Sequence, residues 1–195
     1  LSVDYRLAPE DPFPAAVEDA VAVYKAVLDG GTPAEKIVVA GDSAGGGLAL
    51  ALMLSAKERG LPQPAGAALL SPWSDLRLNS ASYESRKDAD PMVTHDGIAQ
   101  MAAHYLGDTT PDTPLASPIL ADLSGLAPML IHVGDAEVLL DDAVVLARNA
   151  KDAGADVTLK VWDHMIHVFQ AFYAMVDEAR EAVNEIGAFL AERTR

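Results

Sequence analysis

IVVAGDSAGGG (37–47) sets one serine among four glycines, directly between a short apolar run and a run dense in Ala and Leu. Two chemistries ask for glycine at a strand-to-helix turn: phosphate cradling and nucleophilic catalysis. A dinucleotide fingerprint needs G-x-G-x-x-G, but the register from Gly41 meets Ser43 in third place and the register from Gly45 meets Leu50 in sixth. A P-loop needs Gly-Lys-Ser/Thr after four free residues, and here Gly46 and Gly47 follow with no lysine. The pattern that fits is G-x-S-x-G, matched by Gly41-Asp42-Ser43-Ala44-Gly45. A serine there sits on a strained turn with its hydroxyl exposed at the top of a sheet, and the flanking glycines let strand and helix pass closely. Free N–H groups at the helix start favour negative charge developing beside it. By chance the bare pattern arises in roughly one chain of this length in twenty, so the strand before and the helix after it carry the weight.

Both are present, and the alternation extends outward. Ile37 to Ala40 is a short buried strand, Gly45 to Arg59 a helix closed by Gly60 and Pro62, and Gly66 to Leu70 a further strand. Upstream, LSVDY (1–5) reads as a strand, and Ala15 to Leu28 as a helix with apolar residues at helical spacing, stopped by Gly30-Gly31. Pro72 to Pro118 is a proline-studded excursion with one helix near Asp96 to Leu106. Strand Met129 to Val133, helix Asp142 to Ala153, strand Val157 to Trp162 and a final helix from about Met175 to Glu192 complete the chain. Short strands alternating with helices predict an α/β fold, a parallel sheet covered on both faces with its reactive groups at the carboxyl ends of the strands.

Length and composition agree. The 195 residues suit one domain, 1–195, with a full core. The net charge of −15 opposes binding to nucleic acid or anionic membranes. Without cysteine there is no disulfide, thiolate metal site or cysteine nucleophile. No apolar run approaches the roughly 20 residues of a membrane helix, and no signal peptide leads the sequence, so a cytoplasmic location is expected.

A serine nucleophile needs a base and an acid, expected in the chain order Ser, Asp/Glu, His, each after a strand. Of the five histidines, His132 falls inside a strand, and His95 and His104 lie in the excursion as surface residues. His164 and His167 both follow the last strand, and geometry from sequence does not separate them. The acid belongs after the penultimate strand, in GDAEVLLDDA (134–143). Asp141 and Asp142 stand where a helix begins and suit N-cap and dipole roles. Asp135 and Glu137 remain. The loop lacks the spacing and central glycine of a calcium site. His164 and His167, in a loop with no glutamate between them, do not make a zinc motif.

Six stretches in order carry a resemblance: DYRLAPEDPFPAA (4–16), GDSAGGGLA (41–49), SPWSDL (71–76), DPMVT (90–94), HVGDAEVLLDDA (132–143) and MIHVFQAF (165–172). Together they resemble the bacterial hormone-sensitive-lipase-like (family IV) esterases of the α/β-hydrolase superfamily, over essentially the whole chain. The resemblance implies an α/β-hydrolase fold and a serine carboxylesterase for short-chain acyl esters, with no cofactor and no metal. It makes Ser43 the nucleophile, His167 the base through its Met-x-His-x-Phe context, and the Ala44 N–H one oxyanion donor. The family's acid usually opens an Asp-Pro-Leu-x-Asp-Glu run; aligned on LLDDA that position is Glu137, a departure in residue type, with Asp135 in reserve. Trp73 and Phe169 are candidates for the pocket wall, with core packing as the competing role. Family members often pair through the last strand and helix, which implies a homodimer.

The family also carries a His-Gly-Gly-Gly oxyanion loop and an N-terminal cap, neither of which the sequence contains. The five strands read here correspond to the fourth to eighth of its eight-stranded sheet. The chain is therefore expected to be the C-terminal two-thirds of a larger enzyme. A lactonase or amidase on the same triad, or a binding protein on the same scaffold, are the alternative functions.

Overall fold

Where apolar runs of strand length alternate with helical ones, each strand must find a parallel neighbour and each helix must cross over the sheet to return the chain. The computed structural model, which describes residues 1–195, follows that rule from Ala15 onward. Helix α1 (Ala15–Asp29) leads to β1 (Val38–Asp42), α2 (Ala44–Glu58) and β2 (Gly66–Leu70). The excursion contains α3 (Ser82–Ser85) and α4 (His95–Leu106). Then come β3 (Met129–Gly134), α5 (Leu140–Asp152), β4 (Val157–Trp162) and α6 (Asp177–Arg193). The four strands pair in parallel in the order β1-β2-β3-β4.

Sequence patterning follows position in the sheet. The central strands β2 and β3 are small or apolar except for His132 and are almost wholly buried, whereas β4 buries only Val157 and Trp162, and β1, expected to be a buried strand, lies at the sheet edge with no residue fully buried. Successive residues of a strand face opposite sides. Ile131 joins the largest core cluster with Leu50 and Met53 of α2 and Leu146 of α5. His132 points the other way, toward α6, where Trp162, Phe169, Ala179 and Ala182 pack together. Helix α1 lays Val17, Val21 and Tyr24 against Ala51, Leu52 and Ala56 of α2. No helix is long and apolar enough to cross a membrane.

One expectation fails. Residues 1–5 form no strand, and the sheet has four strands rather than five. An extended segment becomes a strand only where a neighbour supplies hydrogen-bond partners in register, and this segment meets none. It is held instead by Arg6, which grips the Asp19 carboxylate at 2.8 to 3.2 Å. With β1 it lines an apolar cleft of about 510 Å³.

His132 is fully buried, and neither ring nitrogen has a hydrogen-bond partner, although Nε2 lies 3.4 Å from a Glu185 carboxylate oxygen. Burial holds its pKa down from 6.5 to about 4, with the Lys160 charge adding to that effect and Glu185 opposing it. The folded state keeps the ring neutral while the unfolded chain protonates it, so His132 withdraws stability as pH falls from 6.5 through 4. Replacing it by leucine is expected to remove about 3 kcal/mol of that acid sensitivity. Urea titrations of both proteins at pH 7 and pH 4 check this, the difference between them isolating His132 from other groups.

Candidate active site

Parallel pairing brings the strand ends to one edge of the sheet. Asp42 is in register with Leu70, Leu70 with His132, and Gly134 with Trp162. The segments that leave these ends carry all the side chains singled out for chemistry.

Ser43 occupies the single residue between β1 and α2 with φ 51° and ψ −120°, a conformation that costs a non-glycine residue about 1 to 3 kcal/mol. Its backbone is pinned on three sides. The N–H donates to the Leu70 carbonyl at 2.9 Å, and the carbonyl accepts from Gly46 at 3.0 Å and from Trp73 at 2.9 Å. Its hydroxyl caps none of the helix's N–H groups and so is left free of that role. The adjacent Ala44 N–H, first in α2, has no backbone acceptor.

The glycines divide the work unevenly. A Cβ on Gly41 would stand 2.1 Å from the Gly45 carbonyl oxygen, and one on Gly47 2.1 Å from that of Trp73. Only glycine lets strand and helix, or helix and the loop after β2, come so close. At Gly45 a Cβ would meet nothing within 4 Å. The serine turn therefore needs its first glycine for clearance, but the second lines the open cleft beside β1.

The structure separates the two histidines and the two acids that the residues alone leave open. His167, 5% exposed, places Nδ1 2.7 Å from Glu137 Oε2. Glu137 is fully buried, and its Oε1 accepts from the Gly134 N–H at 2.7 Å and from the Ser71 hydroxyl at 2.8 Å. A neutral imidazole that donates Nδ1–H to this carboxylate keeps its Nε2 lone pair for another donor. Asp135 takes no part in this pair. Its Oδ1 accepts the His164 backbone N–H at 2.6 Å, and it steadies the turn after β4, where His164 has φ 61°.

Asp141 and Asp142 lie in the first turn of α5 as expected, but neither caps it. Their carboxylates reach across to the excursion instead. Asp142, fully buried, accepts from the backbone of Ser74 and Asp75 and from the Ser80 hydroxyl at 3.0 to 3.2 Å. Burial pushes its carboxyl up to about 7 against the pull of those N–H groups. Asp141 accepts from the Ser82 N–H, and Asp90, in the excursion, accepts from the Val138 N–H, each at 2.9 Å. The residue beside Glu137 is thus held by a carboxylate 48 positions away. Such partnerships have no sequence signal beyond an excess of acids in the loop, and sequence reasoning missed them.

Trp73, 8% exposed, belongs to the core of the excursion with Leu76, Tyr83 and Ile98. It also lines a cavity of about 290 Å³ beside Ala44, together with Leu76, Met101, Tyr105 and Leu115. Phe169 is 2% exposed and packs against Trp162 beneath α6, so it is a core residue rather than a pocket wall. No group of three or more His, Cys, Asp or Glu side chains is arranged to hold a metal ion.

The family profile described as the alpha/beta hydrolase fold matches residues 1–171. The chain belongs to that family. Among its relatives, an acetyl-hydrolase from Streptomyces hygroscopicus is 45% identical over 194 residues, covering 100% of the chain and 65% of the relative. An esterase from Acinetobacter venetianus is 38% identical over 190 residues, covering 97% of the chain and 63% of the relative. The crystal structure of an esterase from the bacterial hormone-sensitive lipase family superposes with a TM-score of 0.97 at 46% identity, over 98% of the chain and 65% of that structure. Within the α/β hydrolases the chain groups with the bacterial hormone-sensitive-lipase-like esterases, and it spans a little under two thirds of these relatives' length.

In this hydrolase fold the Gly41 clearance can be probed directly. Gly41→Ala is expected to destabilise the protein by about 3 kcal/mol or more, because the clash is with backbone and no side chain can rotate away. The midpoint of urea unfolding and the yield of folded protein measure it.

Proposed function

We propose that the protein is a serine carboxylesterase acting through Ser43, His167 and Glu137. The observation that carries this reading is the buried Glu137–His167 pair at 2.7 Å, set on the loops after β3 and β4, while Ser43 is held in a strained turn after β1. Chain order and strand-end placement match what nucleophilic acyl transfer needs.

His167 Nε2 takes the proton from Ser43 Oγ as the oxygen attacks the ester carbonyl, and Glu137 holds the ring and stabilises the imidazolium. The Ala44 N–H donates to the carbonyl oxygen as it becomes an oxyanion. The C–O bond of the ester breaks, the alcohol leaves with the proton from His167, and an acyl-Ser43 remains. Water attacks that ester, passing its proton to His167, which returns it to Ser43 as the acid departs. The cavity of about 290 Å³ beside Ala44, with Trp73 on its wall, supports a short acyl or alcohol group. No step calls for a cofactor.

We also read β4 and α6 as the pairing face of a homodimer. Strand β4 lies at an open edge, and Val161 on it and Val183 on α6 are each 40% exposed. Sedimentation of the full-length protein is expected to give a dimer, and Val161→Lys a monomer.

The deciding test is intact-mass labelling with a fluorophosphonate. One adduct is expected, absent in Ser43→Ala, with turnover of p-nitrophenyl acetate lost by about six orders of magnitude. Glu137→Gln is expected to lower kcat by about 10⁴, while Asp135→Asn stays near the unmodified rate. Folded protein that takes no adduct overturns the esterase reading in favour of a binding protein on this scaffold. An adduct with turnover of lactones or amides but not of esters reassigns the substrate on the same three residues.

A further inference from the structure

Ser71, the first residue after β2, is fully buried and has φ 44°. A buried residue held in the left-handed region is ordinarily glycine, because any Cβ is strained there. Serine at such a position needs a reason in its hydroxyl, and the hydroxyl has two partners. It donates to Glu137 Oε1 at 2.8 Å and accepts the Val168 N–H at 3.1 Å.

The directions are forced by chemistry. The Val168 N–H can only donate, so the hydroxyl meets it with a lone pair and gives its one proton to Glu137 Oε1. With the Gly134 N–H also on Oε1, the carboxylate cannot turn, and Oε2 is left for His167 Nδ1. On the other side Val168 has φ 49°, and its N–H has the Ser71 hydroxyl as its partner. The backbone of Ser71 completes the clasp by donating to the His132 carbonyl at 2.7 Å. One buried hydroxyl thus joins the loop that carries the acid to the loop that carries the base.

We propose that Ser71 is a positioning residue for the Glu137–His167 pair: its hydroxyl fixes which carboxylate oxygen faces the imidazole and anchors the backbone beside His167. It reaches neither substrate nor the reacting atoms, since it has no exposed surface. The inference rests on the reading of Ser43, His167 and Glu137 as a triad.

Ser71→Gly is the sharpest test, because it removes the hydroxyl while relieving the strained backbone. The expected result is a folded protein whose kcat on p-nitrophenyl acetate falls about 10- to 100-fold with little change in KM, as for a small misplacement of a catalytic group. Fluorophosphonate still labels Ser43, but more slowly. In ¹H NMR the downfield His167 Nδ1–H resonance, identified by its loss in His167→Gln, is expected to move or broaden. Unchanged kcat and an unchanged resonance overturn the proposal and leave Ser71 as packing. Should Ser71→Gly not fold, the unmodified protein decides: slow hydrogen exchange at the Val168 amide supports the clasp, and exchange at the rate of an open amide overturns it. The resonance and the exchange are read without turnover, so an unmodified protein that neither labels nor hydrolyses fails the esterase reading separately from the role of Ser71.

Discussion

A carboxylate beyond the reach of water must receive its hydrogen bonds from the protein, and Glu137 receives three, from three different elements. Gly134 at the end of β3, Ser71 just after β2 and His167 after β4 each supply one donor. An unpaired charge at that depth would cost several kcal/mol, so the three segments are tied to a common point. Much of the local geometry follows from that tie. The left-handed turns at Ser71 and Val168 are tolerated because each places a group that the carboxylate or its clasp requires.

The strain at Ser43 has a different support. Its carbonyl and N–H are engaged by the first turn of α2, by Leu70 and by Trp73, and Gly41 and Gly47 remove the atoms that would otherwise block those approaches. The turn is over-determined by backbone hydrogen bonds and clearance rather than by side chains of its own. A strained residue persists when its surroundings leave it no alternative. The buried strand β2 on one side and the apolar α2 on the other provide such surroundings.

Much of this was legible in the residues. Short apolar runs alternating with helical periodicity located the four strands and the main helices, although β1 proved to be an edge strand with no residue fully buried, and G-x-S-x-G located the turn because glycine spacing is a steric requirement written directly in the chain. What could not be read was pairing across distance. Residues 1–5 have the composition of a strand, yet a strand also needs a partner. Asp141 and Asp142 look like helix-start acids, yet their oxygens serve the excursion. Gly45 fits the motif as well as Gly41 does, yet only one of the two faces a close neighbour. His164 and His167 are equivalent by spacing, and the direction of a loop after β4 separates them: one offers its backbone to Asp135, the other its ring to Glu137.

The carboxylates that cross between the acid loop and the excursion bear on how this protein could be recombined with its relatives. Asp90 holds the Val138 N–H, Asp141 and Asp142 hold the backbone of Ser82, Ser74 and Asp75, and the Ser82 hydroxyl returns a bond to the Val138 carbonyl. Although 72–118 looks like an insertion that could be grafted or trimmed by itself, it is chemically interlocked with 138–142. A chimera that exchanges one segment without the other would leave buried backbone N–H groups opposite missing carboxylates. The natural unit of exchange is therefore the pair, two stretches far apart in sequence that have to travel together.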